Sequence, residues 1–364
     1  MMNKAKALYI HIPFCHYICS YCDFTKLQYF SFLLKEYLHA LKNEMESYQI
    51  DELDTIYVGG GTPTSLSLDE LKMLLEIIKP GSKNVKEYTF EANPDSLTKD
   101  KLILLHQYGV NRLSIGVEST DDKILSLINR HHSFLDVKRC IQEAREIGFN
   151  NINVDLILGL PNMSKAMIKK DILNVISLGV EHVSCYSLTV HEHTRFYLEK
   201  IAEKDDDFIR DIYDIVKEEL SNAGYEQYEI SNFAKDKHYS LHNLTYWKDE
   251  QYYGVGLGAS GYLDNIRYTN TKNLTLYNKG IIEKEIEEVD LESDKHYFIY
   301  LNLRTIFGLD LTRYQEKFHE DLYLKKKDEI DELISLGLLI KENNTLRPSY
   351  QALMTLDNIV LKLF

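Results

Sequence analysis

Between residue 7 and about residue 222, short apolar, β-branched runs alternate with longer stretches whose apolar positions recur every three or four residues. The short runs predict strands at Ala7–Ile12, Thr55–Val58, Glu87–Ala92, Arg112–Val117, Asn151–Leu158 and His182–Ser187. The longer ones predict helices near Phe32–Ser47, Leu68–Ile78, Lys99–Tyr108, Phe134–Ile147, Ser164–Ser177 and Asp207–Asn222. Strands that alternate with helices at this spacing imply βα units and a parallel sheet. Periodicity alone does not separate an open doubly wound sheet from a barrel.

The stretch 225–290 breaks the rhythm, with many Tyr, Asn and Gly and no long periodic helix. Helical patterns return at His296–Phe307 and Lys325–Leu336, with Gly337 placed as a stop. Leu338–Lys341 and Thr345–Arg347 flank Asn343-Asn344 and predict a hairpin. Helices followed by a hairpin suggest a winged-helix-like module, read as a packing domain. The chain thus divides into 1–235, a connecting segment 236–290, and a C-terminal domain 291–364.

Composition narrows the class. With 364 residues, 44% of them hydrophobic and 27% charged, the chain has the balance of a soluble globular protein. Its net charge of −14 argues against binding nucleic acid through the phosphate backbone. No apolar run approaches the roughly 20 residues that span a bilayer. The start, Met1-Met2-Asn3-Lys4-Ala5-Lys6-Ala7, lacks the apolar core of a secretory signal, so a cytoplasmic location is expected.

The chemistry concentrates in Cys15, Cys19 and Cys22, a C-x3-C-x2-C triplet directly after the first strand. A disulfide framework suits short secreted chains, and this one spreads five cysteines over 364 residues. A structural zinc site needs a second ligand pair, which is missing, although His11 or His16 could join three thiolates. Three thiolates also suit three corners of a [4Fe–4S] cluster, leaving the fourth iron for a small molecule. Cys140 and Cys185 lie in apolar segments and are expected to be inert buried thiols.

In parallel α/β barrels ligands sit at the carboxyl ends of the strands. The second strand ends in Gly59-Gly60-Gly61-Thr62-Pro63-Thr64, where the backbone can approach a ligand closely. Glu91 in the third strand and Asp155 in the fifth are carboxylates in apolar runs, costly to bury without a partner. The fourth strand runs into Gly116-Val117-Glu118-Ser119, and Arg130 after it carries a planar fork suited to a carboxylate.

At its cysteine loop the chain resembles the radical S-adenosylmethionine (SAM) superfamily, in which the open iron chelates SAM and one electron from the cluster cleaves it. Six βα units match that superfamily's partial (β/α)6 barrel. The runs Tyr9-Ile10-His11-Ile12-Pro13-Phe14-Cys15, Gly60-Gly61-Thr62-Pro63-Thr64, Arg112-Leu113-Ser114-Ile115-Gly116-Val117-Glu118-Ser119 and Asn153-Val154-Asp155-Leu156-Ile157-Leu158-Gly159-Leu160-Pro161 resemble the oxygen-independent coproporphyrinogen III oxidase family, as does Leu301-Asn302-Leu303-Arg304 followed by Gly308-Leu309-Asp310-Leu311. The resemblance implies SAM contacts at Tyr9, Tyr21, Gly61, Thr62, Pro63, Glu91, Glu118, Arg130 and Asp155. Position 118 is often Gln in the family.

Within that family the chain resembles the heme-chaperone branch. The oxidases end their cluster loop in C-x-C and carry a long N-terminal extension. Here the loop reads Cys22-Asp23-Phe24 and begins at residue 15. His242-Asn243-Leu244-Thr245-Tyr246-Trp247 reproduces the branch's H-N-x-x-Y-W motif, which implies heme ligation by His242. An imidazole is a good heme ligand, and Tyr246 and Trp247 could stack on a porphyrin. Gly254-Val255-Gly256-Leu257-Gly258 does not open a βαβ unit, so NAD binding is rejected; the resemblance has this stretch closing over the SAM pocket. The branch implies a heme chaperone that serves apo-hemoproteins of the respiratory chain, with a SAM site that looks intact. It leaves room for peripheral membrane contact and for a homodimer. Two enzymatic alternatives stand beside it: oxidative decarboxylation of porphyrinogen propionates, and a methyltransferase that opens the heme ring.

Overall fold

The structure is a computed structural model that describes residues 5–50, 52–353 and 355–364. Its centre is a parallel sheet. Strands β1 (Ala7–Ile12), β2 (Thr55–Gly60), β3 (Glu87–Ala92), β4 (Arg112–Glu118), β5 (Ile152–Leu158) and β6 (His182–Ser187) pair in chain order. Both faces of each are covered, so their sequences are apolar runs and do not alternate. Leu8, Ile10, Ile56, Val58, Phe90, Leu113, Ile115 and Val154 are fully buried. Between the strands lie α1 (Ser31–Ser47), α2 (Leu68–Ile78), α3 (Lys99–Gln107), α4 (Phe134–Ile147), α5 (Lys165–Ser177) and α6 (Asp206–Asn222).

The helix starts are encoded locally. Ser67 with Glu70, and Ser133 with Asp136, form reciprocal capping boxes ahead of α2 and α4. α4 ends at Gly148 in the left-handed region. Strand β2 runs two residues beyond the apolar pattern, because Gly59 and Gly60 continue the register against His11 and Ile12. β4 reaches Glu118 through an irregularity between Gly116 and Glu118, where Glu118 takes φ +62°. Such a bulge re-aims a side chain at the end of a strand.

The sheet continues past these six strands. β7 (Glu226–Gln227) and β8 (Asn232–Ala234) add antiparallel strands beyond β6. At the other edge β9 (Tyr253–Val255) pairs parallel with β1. The glycine-rich stretch expected to close over the SAM pocket begins in this edge strand and continues from Gly256 as a turn. A Cβ on Gly256 would lie 2.5 Å from the His11 carbonyl oxygen, so close approach to β1 is what its glycine permits. Glu44 of α1 holds this edge, accepting from Gly256 N (2.9 Å), Asn270 Nδ2 (2.7 Å) and Tyr277 Oη (2.6 Å).

α7 (Leu241–Trp247) packs against β2 and the C-terminal part. The C-terminal helix expected at His296–Phe307 occupies Leu291–Leu303, since Asp290 caps it by accepting from Ser293 N at 2.8 Å. The stretch Lys325–Leu336 is two helices, Leu322–Lys325 and Lys327–Ser335, broken at Lys326. The hairpin forms at Leu339–Glu342 and Thr345–Pro348, with Leu309–Asp310 as a third strand. Two large apolar cores result, one built from residues between Ala5 and Tyr277, the other from Phe298 to Leu363.

Candidate functional site

A cavity of about 490 Å³ opens at the carboxyl ends of the parallel strands. Cys15, Cys19 and Cys22 form one part of its wall. Cys15 is buried and the other two half-buried. The loop is positioned by backbone pairing: Gly61 N donates to Ile12 O (2.8 Å), Thr62 N to Phe14 O (2.9 Å), and Tyr29 N to Cys15 O (2.9 Å). Gly61 is required for a steric reason, since a Cβ there would sit 2.8 Å from the Pro13 carbonyl carbon and 3.0 Å from Cys15 Sγ. The glycine run therefore lets strand β2 press against the cysteine loop. Thr62 Oγ1 reaches Cys15 Sγ at 3.6 Å.

Opposite the thiols stand three carboxylates. Glu91 accepts from Tyr57 Oη (2.8 Å) and Gly60 N (3.0 Å). Burial lifts its pKa to about 7, with Asp155 and Glu118 adding to the rise. Asp155 accepts from Ser114 Oγ (3.0 Å) and Asn153 Nδ2 (2.9 Å), and burial raises it too. Glu118, likewise raised by burial, pairs with Arg130, which also donates to Gly116 O (3.3 Å). The Arg130 Nε, buried, has no hydrogen-bond partner among the described residues. Tyr21 lines the cavity beside this pair and donates towards Glu118.

Three buried carboxylates held against their ionisation call for a cationic ligand, and an unpartnered guanidinium nitrogen calls for an anionic group beside it. SAM, with an ammonium, a sulfonium and a carboxylate, meets both demands. The three thiols supply the soft donors of an iron–sulfur cluster. When bound, the cluster supplies one-electron chemistry. The chain's own part is to orient the ligand and hold its charges.

The cavity wall thus brings together Tyr21, Gly61, Thr62, Glu91, Glu118, Arg130, Asp155 and the three cysteines. It does not include Tyr9 or Pro63. Tyr9 is turned to His11, with its hydroxyl 2.8 Å from Nδ1, and Pro63 is buried at the start of a short turn. Asn93, Ser114, Tyr57, Lys26, Tyr186 and His191 also line the cavity. Pattern reading passed over them because a polar or aromatic residue near a strand end carries no signal of its own.

His242 lies elsewhere. It is fully buried at the amino end of β2, with Nδ1 2.9 Å from Thr55 Oγ1 and Nε2 2.7 Å from Tyr246 Oη. Burial, then the nearby Arg112, push its imidazole down to about 3. Glu87 accepts from Leu241 N and His242 N, each at 2.9 Å, and so anchors the first turn of α7. Arg304 lies over the Trp247 ring at 4.6 Å. In this packing both ring nitrogens of His242 are already hydrogen-bonded, and the motif links β2, through His242, to the C-terminal part, through Trp247 and Arg304.

The radical SAM superfamily model matches residues 9–175. The chain is 40% identical to the heme chaperone HemW of Bacillus subtilis, over 95% of this chain and 96% of that one. The chain belongs to the HemW family. It is 34% identical to HemW of Escherichia coli, over 81% of each chain, and 32% identical to a mitochondrial radical S-adenosyl methionine domain-containing protein 1 of Mus musculus, over 98% and 87%. Among solved structures, coproporphyrinogen III oxidase (HemN) from Escherichia coli shares the fold, with a TM-score of 0.84, 21% identity, and coverage of 99% and 90%. The expected fold class and family both stand. A HemW-family radical SAM protein is a [4Fe–4S] and SAM protein, which the cavity's donor set fits. Among the described residues no helix is long and apolar enough to cross a membrane.

Proposed function

We propose that this chain is a cytoplasmic heme chaperone, which binds heme and passes it to apo-hemoproteins of the respiratory chain. Cys15, Cys19 and Cys22 hold its cluster. Glu91, Glu118, Arg130 and Asp155 hold SAM, with Gly61, Thr62 and Tyr21 completing that wall. The carrying observation is full-length likeness, at 40% identity, to a protein named as a heme chaperone. The cluster loop supports it, because Cys22-Asp23-Phe24 places an aromatic ring where the resembling oxidases carry a further thiol. We read residues 1–235 as the SAM-binding part, 236–290 as the connection, and 291–364 as the packing domain.

The test is an anaerobic assay of the reconstituted chain. Titration with hemin should give a Soret band, and mixing with an apo-hemoprotein should move that band to the acceptor. Incubation with coproporphyrinogen III, SAM and a reductant should leave the propionates intact. Vinyl products would establish the oxidase reading instead, and a ring-opened tetrapyrrole the methyltransferase reading.

A further inference from the structure

We propose that heme seats across the mouth of the cavity, against Phe24, Tyr186 and Leu188, with His191 as the axial ligand of its iron and Lys26 facing a propionate. This rests on the chaperone reading above and names the site it would use. A heme needs flat apolar walls, an iron ligand with a free lone pair, and cations at its carboxylate edge. The α7 motif offers no free ligand, because both His242 ring nitrogens are hydrogen-bonded in the core.

The cavity mouth offers all three. His191 is the one histidine among the residues that line it. Its side chain is 50% exposed, and its Nε2 lies 3.5 Å from Asp23 Oδ2, while Nδ1 makes no hydrogen bond among the described residues. Histidines that bind metals commonly direct their other ring nitrogen at a carboxylate, which fixes the tautomer and raises ligand basicity. Phe24 is 63% exposed and Tyr186 42%, although both line a cavity wall. Exposed rings on the wall of one opening are an apolar surface that a flat ligand can cover. The Lys26 ammonium donates to the carbonyl oxygens of Cys22 and Phe24, and has no carboxylate partner among the described residues.

These groups come from the two ends of the row of parallel strands. Phe24 and Lys26 follow β1, and Tyr186, Leu188 and His191 belong to β6 and the loop after it. That loop crosses to the cysteine loop, with Phe196 N donating to Ser20 O at 3.0 Å and His191 beside Asp23. The seat therefore lies above the polar SAM wall and beside the thiols. Heme and SAM occupy successive levels of one opening.

The test compares His191→Ala, Lys26→Ala and His242→Ala in the full chain, with circular dichroism and SAM affinity as checks on folding. In His191→Ala the Soret maximum should move and hemin affinity fall by about tenfold or more, at least what losing an outer partner of a metal ligand costs. Added imidazole should restore the wild-type band in that variant. Lys26→Ala should weaken hemin by about two- to fivefold, the size of one exposed ion pair, without moving the band. His242→Ala, where it folds, should keep the band position. A wild-type spectrum and affinity in His191→Ala would overturn the seat while leaving the chaperone reading intact. A wild-type chain with no Soret band would remove the chaperone reading and the seat with it.

Discussion

Glu91→Gln separates what this carboxylate does for the ligand from what it costs the fold. In the wild type, burial lifts the Glu91 pKa from an ordinary 4.5 to about 7, opposed by hydrogen bonds from Tyr57 and Gly60 and reinforced by Asp155 and Glu118. A raised carboxyl keeps its proton in the native state over a range where the unfolded chain has released it. The native state is thus favoured most below pH 4.5 and loses that advantage as pH climbs towards 7. Above pH 7 the whole cost is present, up to about 3 kcal/mol for a displacement of this size. Glutamine can turn its one carbonyl oxygen to Gly60 N and donate its amide N–H to Tyr57 Oη, and it has no charge to bury. Stability of the cluster-free variant, measured by denaturant unfolding at fixed slope, should therefore gain on the wild type by up to about 3 kcal/mol between pH 4.5 and pH 8. Comparing the same pair at two pH values cancels any pH-independent repacking. SAM binding should move the other way, weakening by about ten- to a hundredfold on loss of a charge-assisted contact. A stability difference that stays flat across this pH range would refute the assignment of Glu91 as a strained, ligand-awaiting carboxylate.

Reconstituted wild type should hold about four irons per chain by cluster stoichiometry, and Cys15→Ala, Cys19→Ala and Cys22→Ala should each lose them. Cys140→Ala and Cys185→Ala should keep full iron content, because both thiols are buried away from the cavity wall; loss of iron in either would mean the ligands are misassigned. Arg130→Ala should weaken SAM binding and also destabilise the chain by about 3–5 kcal/mol, because Glu118 is left buried without its partner. Unfolding of Arg130→Ala at the wild-type denaturant midpoint would contradict the buried pair.

The strands were legible because burial on both faces writes itself as apolar runs, and the helices because Ser67 with Glu70 and Ser133 with Asp136 mark their starts. The SAM wall was legible for a related reason. A carboxylate in an apolar strand, as at Glu91 or Asp155, is a local anomaly that only a partner justifies. Tyr9 and Pro63 belonged to the same motifs, yet the fold turns one to His11 and buries the other.

By itself, then, the sequence determined the βα order, the cysteine loop and the charged strand ends, all of which depend on residues close together in the chain. Only the tertiary structure decided where distant segments meet. It brought Tyr253–Val255 beside β1, set His191 against Asp23, and closed His242 between Thr55 and Tyr246. A histidine next to aromatics reads the same whether it faces a ligand or a core. What distinguishes the two is whether its ring nitrogens are already hydrogen-bonded: Tyr246 is one helical turn away, but Thr55 lies on a strand that only folding brings within reach.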